Sequence, residues 1–119
     1  MAKSMLVISR QTPWSGPGAR EALDIALAGG AFDLPMAMLF LDDGVYQLQK
    51  EQMPAQIERK DVVANLKALP MFGVEDLYIS ASSLKLRALD ESLIEPLAQV
   101  LDDNAIGDLI NRFDYVITL

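Results

Sequence analysis

The residues that could do chemistry lie in four short stretches. Asp42-Asp43 ends the uninterrupted apolar run Met36 to Leu41 and offers two carboxylates for a hard cation or for proton transfer. Ser80-Ala81-Ser82-Ser83 offers hydroxyl nucleophiles, with Lys85 close in sequence as a possible base. Ser15-Gly16-Pro17-Gly18-Ala19 is a glycine-bearing loop that opens a helix, whose free N–H groups and positive end suit an anion. Trp14, flanked by Pro13 and followed by Arg20, would suit a partner surface if exposed.

Each stretch also has a plainer structural reading. Adjacent residues at a strand end point different ways, and no further acid stands at recognisable ligand spacing, so Asp42 or Asp43 is expected to cap a short helical turn over Gly44 to Leu48. Serine catalysis needs a base in reach, usually histidine, and the chain contains 0 histidines. The serines are therefore expected to cap the helix that follows them. The glycine loop lacks the full dinucleotide fingerprint and the Lys-Ser/Thr of a P-loop, and its glycines let the backbone turn. Trp14 can equally be partly buried packing. No cofactor and no metal set follows from these residues.

The elements that must position these groups alternate between strand-like and helix-like patterns, which predicts a parallel sheet covered by helices. Met5 to Ser9 reads as the first strand, and Ala19, Ala22, Leu23, Ala26 and Leu27 recur at helical spacing until Gly29-Gly30, expected as its C-terminal cap. Met36 to Leu41 reads as a strand buried on both faces, because it needs no alternation. Lys50 to Arg59 is polar and loop-like at its start. Val62, Val63, Leu66 and Leu69 make a helical stripe ended by Pro70 and Gly73. Leu77 to Ala81 is a third strand leading to a short helix over Leu84 to Ala88. Leu97 to Leu101 is a fourth strand, and Asp103 or Asn104 would cap a last helix with Ile106, Leu109, Ile110 and Phe113 on one face. Tyr115 to Leu119 closes the chain as a fifth strand. The expected fold is α/β, one domain over residues 1–119, a three-layer sandwich on a mainly parallel sheet of about five strands.

Composition sets the outer bounds. With 51% hydrophobic and 23% charged residues the 119-residue chain is globular, and no apolar stretch approaches the ~20 residues that span a bilayer. The apolar part of Met1 to Ile8 is short for a signal peptide, so the cytoplasm is the expected compartment. A net charge of -7 repels phosphates and argues against direct nucleic-acid binding. The mean hydropathy of +0.21 is high for a small monomer, and burial against another subunit resolves it. The cysteine count is 0, so no thiolate exists to form a disulfide or carry a persulfide, and the 6 methionines are thioethers.

Gly18-Ala19-Arg20-Glu21-Ala22-Leu23-Asp24, Leu41-Asp42-Asp43-Gly44-Val45-Tyr46-Gln47-Leu48 and Phe113-Asp114-Tyr115-Val116-Ile117, in this order and spacing, resemble the TusC/DsrF family over essentially the whole chain. The resemblance implies a DsrE/DsrF-type α/β fold and a cytoplasmic complex with TusB-like and TusD-like subunits, commonly a dimer of heterotrimers. In such a complex persulfide sulfur passes from a TusA-like donor to a TusE-like acceptor, toward 2-thiolation of the tRNA wobble uridine. The relay cysteine belongs to the TusD-like relative. Matching Tyr78-Ile79-Ser80-Ala81-Ser82-Ser83-Leu84-Lys85-Leu86-Arg87 to the family segment puts Ser80 in its place, and Arg87-Ala88 stands where the family often has Arg-Gly. The resemblance implies a noncatalytic structural or docking subunit. Trp14, Arg20, Asp42, Asp43, Gly44 and Tyr46 are its candidate partner or structural residues. From the residues alone, a stand-alone module binding a small anion at Gly16 to Gly18, or a hydrolase using Ser80, stays open.

Overall fold

Three short segments, Met5–Ser9, Met36–Phe40 and Asp76–Ser80, pack side by side, the middle one buried along its whole length. The structure, a computed structural model, describes residues 3–12, 16–50 and 64–119. Its strands are β1 (Met5–Ser9), β2 (Met36–Phe40), β3 (Asp76–Ser80), β4 (Gln99–Leu101) and β5 (Tyr115–Thr118), in the order β4-β3-β2-β1-β5. Among the described residues all four pairings are parallel, and the one isolated bridge, Gln49 with Ile94, is antiparallel. The helices are α1 (Gly18–Ala31), α2, helical over residues 64–68, α3 (Ala81–Leu86) and α4 (Asp103–Asn111).

The period of two along each strand divides the core into two layers. Val7, Met36, Met38 and Phe40 point to one face, where they pack with Ala22, Leu23 and Ala26 of α1, Leu66 of α2 and Leu84 of α3. Leu6, Ile8, Ala37 and Leu39 point to the other, under Ile106 and Leu109 of α4. The path β1 to β4 runs in one direction across the sheet and the step from β4 to β5 runs back. A crossover of constant hand therefore places α4 opposite the other helices. Asp114 fastens β5 to the chain ahead of β1: it accepts from the Ser4 N–H at 2.8 Å and the Ser4 hydroxyl at 3.2 Å, and these bonds hold its carboxyl below the ordinary value.

Three expected caps are placed differently. Gly29 and Gly30 lie inside α1, buried, and do not end it. A Cβ on Gly29 would stand 2.4 Å from the Met36 sulfur and one on Gly30 2.3 Å from the Phe72 carbonyl oxygen, so both are glycine for close packing. The left-handed residue past the helix end is Asp33, at φ 60. Asp102, one residue before the expected cap, accepts from the Ala105 N–H at 2.8 Å and caps α4. The 3-10 turn Asp42–Leu48 has Leu41 at its N-cap and no side-chain cap at all. The stripe ended by Pro70 and Gly73 is present from residue 64, whereas Val62, Val63 and most of Lys50 to Arg59 lie outside the described residues.

Candidate functional site

Open parallel sheets hold ligands and partners beyond the carboxyl ends of their strands, where neighbouring strands connect to opposite faces. Here that place lies between β1, which leads into α1, and β5, which comes from α4. A cleft of about 630 Å³ opens there, lined by Arg10 and Gln11 after β1, Asp42 and Asp43 after β2, and Thr118 and Leu119 at the end of β5.

The two acids diverge, as adjacent residues must, and each meets its own arginine. Arg10 Nε donates to Asp42 Oδ2 at 2.7 Å, and Arg87 Nε donates to Asp43 Oδ1 at 3.0 Å. Asp42 takes a left-handed φ of 51, which turns its N–H onto the Ser83 hydroxyl at 2.9 Å. Arg87 also donates from Nη1 to the Ser83 carbonyl at 3.2 Å. The loop after β2 is thus pinned to α3 on one side and to the end of β1 on the other. Both carboxylates and Arg10 are about half exposed, so each ion pair is worth ~0–1 kcal/mol and chiefly fixes geometry. Among the described residues no group of acids converges as a metal site requires.

Beneath this charged rim the turn is seated on backbone. A Cβ on Gly44 would stand 2.0 Å from the Ser9 carbonyl oxygen. Gln47, fully buried, donates from Nε2 to the Ser9 hydroxyl at 2.6 Å and to the Gln11 carbonyl at 2.9 Å, joining the turn to the loop after β1. Tyr46, between them, is half-buried.

Ser80 ends β3 and is 2% exposed. Its hydroxyl accepts from the Ser83 N–H at 3.1 Å and so caps α3. Ser82 donates to Asp103 at 2.6 Å, while Lys85 lies on the exposed part of α3. Arg20 pairs with Asp24 one turn along α1 at 3.3 Å and does not reach the cleft; Trp14 lies outside the described residues. Arg10, Arg87, Ser83 and Gln47 belong to this arrangement although their types and spacing do not announce it. The only local signal is a charged residue directly after an apolar strand, as Arg10 is.

The model of the DsrE/DsrF-like family matches residues 3–119. The chain is also 64% identical over 119 residues to "Protein TusC homolog" of Pseudomonas aeruginosa, covering 100% of both. The chain belongs to the DsrE/DsrF-like family. It is 34% identical to "Protein TusC" of Escherichia fergusonii, over 97% of this chain and 98% of that one. To "Intracellular sulfur oxidation protein DsrF" of Allochromatium vinosum it is 31% identical, over 98% and 96%. The crystal structure of YchN from E. coli superposes with a TM-score of 0.78 at 15% identity over 100% of both chains, which places the two in one fold.

Ala88 has φ 53, a conformation that glycine adopts freely and alanine does not. Ala88→Gly is expected to stabilise the chain by roughly 1 kcal/mol, the left-handed penalty less the added chain entropy of glycine. A urea midpoint at or below that of the parent would show that this turn relaxes.

Proposed function

We propose that this chain is a noncatalytic structural and docking subunit of a TusBCD-like sulfur-relay complex. Its partners are TusB-like and TusD-like chains, assembled as a dimer of heterotrimers that takes persulfide sulfur from a TusA-like donor and hands it to a TusE-like acceptor, toward 2-thiolation of the tRNA wobble uridine. The names and full-length coverage of the relatives support a sulfur-relay component. The observation that carries the noncatalytic role is Ser80. Where the resemblance puts a relay cysteine, this chain has an oxygen, buried and engaged as a helix cap. Relay requires a thiolate that attacks a donor's sulfane sulfur, forms a new S–S bond and expels the donor as a thiolate. No atom of this chain performs that step.

The test joins assembly to sulfur acceptance. Expressed alone, the chain is expected to self-associate or aggregate, and with TusB-like and TusD-like chains to enter one species of defined native mass. Ser80→Ala in that complex should transfer sulfur at the parent rate while losing about 1 kcal/mol of stability with its cap. Ser80→Cys should gain no relay activity, because a thiol of ordinary pKa at a buried site is neither ionised nor reachable. A monodisperse monomer that ignores both partners refutes the subunit role. A sulfur atom gained by the unmodified chain on incubation with persulfide donor, read by intact mass, refutes the noncatalytic one.

A further inference from the structure

We infer that the amino end of the sheet, around Phe32, Leu34, Met71 and Phe72, is the docking surface for a partner subunit that presents an apolar centre ringed by lysine and arginine. The inference rests on the subunit role proposed above and adds the surface and the chemistry of what covers it.

The four side chains gather because β2 and β3 are neighbours. Phe32 to Pro35 lead into β2, and the 3-10 turn Leu69–Phe72 with Gly73 to Glu75 leads into β3, whose Asp76 stands opposite Ala37. The two approaches touch through backbone. Gly30 lies so close to the Phe72 carbonyl that a Cβ there would be 2.3 Å from its oxygen, and a Cβ on Gly73 would lie 3.5 Å from the Gly30 carbonyl oxygen. Phe32 is 79% exposed, Met71 88%, Phe72 49% and Leu34 37%. Of the seven large apolar side chains exposed among the described residues, these four share one end of the molecule, opposite the charged cleft. Side chains that give up this much contact with water on association, phenylalanine and methionine among them, are typical of an interface centre.

Charge decides the occupant. Asp33, Glu75 and Asp76 are exposed in the same two approaches, none is ion-paired among the described residues, and residues 32–35 and 71–76 include no lysine or arginine. A second copy placed face to face on this surface sets three acids around the apolar centre against three more, with Lys3, one strand away at the start of β1, as a nearby cation, and like-charge repulsion between the acids disfavours that apposition. A partner with cations around an apolar patch meets both features.

The experiment measures binding of this chain to its co-expressed TusB-like and TusD-like partners at several salt concentrations. Phe32→Ser and Met71→Ser should each weaken assembly at least about tenfold, as central apolar contacts do. Because both side chains lie outside this chain's own core, neither substitution should change its secondary structure as read by far-UV circular dichroism. Glu75→Lys with Asp76→Lys should weaken assembly and abolish the loss of affinity that added salt causes in the parent. If the parent assembles and all these variants assemble equally well, this surface is not the docking site and the subunit role stands. If the parent binds neither partner, both fall. If the parent forms a dimer alone that Met71→Ser dissociates, the occupant is a second copy and the inference is overturned.

Discussion

Gly44→Val is expected to lower stability by about 3 kcal/mol or more, the upper part of the overpacking range, because the obstacle is backbone. The missing Cβ would stand 2.0 Å from the Ser9 carbonyl oxygen, 2.8 Å from its carbon and 3.2 Å from the Arg10 Cα. None of these atoms can rotate away. Accommodating a side chain means lifting the Asp42–Leu48 turn off the end of β1. That also parts Gln47 from Ser9 and Gln11, so that the buried Gln47 amide loses both its acceptors at ~1–3 kcal/mol more. Gly44→Ala separates the causes: if the Cβ alone is at fault it retains most of the loss. Urea unfolding of both variants reads the effect. A Gly44→Val midpoint equal to that of the parent would mean that the turn is not seated as described.

Phe40→Ala should cost about 3–5 kcal/mol, by lost transfer energy and by the cavity left among residues that cannot close over it. Phe40 is fully buried at the end of the central strand, in the layer formed with Ala22, Leu23, Val45 and Leu48. For a chain of this length the whole stability is about 6–18 kcal/mol, so this one substitution removes a large share. Phe40→Leu fills most of the space and should cost less than half as much. Because Phe40 directly precedes Leu41 and Asp42, its loss should also loosen the arginine-paired rim. The expected sign is faster amide exchange at the Asp42 N–H, which the Ser83 hydroxyl otherwise protects. Destabilisation below ~1 kcal/mol would place Phe40 outside the well-packed core.

The charged rim also bears on what this end of the molecule can contribute to a relay. Arg10 and Arg87 are each satisfied by an aspartate, and the Ser80 hydroxyl by a backbone N–H. Arg87 and Ser83 hold the loop after β2 against α3.

Most of the element order was legible from residue types. β2 reads as buried because Met36 to Phe40 contains no polar residue, and all five prove buried. The stripe Ile106, Leu109, Ile110 and Phe113 announces α4, and the absence of cysteine excludes thiol chemistry without any coordinates. These are local properties: periodicity along a few residues, or the atoms a side chain possesses. The sequence could not rank Gly29-Gly30 as packing rather than capping, because the atoms that exclude a Cβ belong to Met36 and Phe72. Nor could it show that β5, apolar by composition, lies at the sheet edge with Tyr115 and Val116 exposed. The pairing of Asp42 with Arg10 and of Asp43 with Arg87 spans 32 and 44 residues and depends on β1 and α3 flanking the same strand end. Strand order alone brings those groups together. Hydrophobic pattern states that a strand is buried, but which neighbour buries it follows from the hand and direction of crossovers, settled only when the whole sheet closes its core.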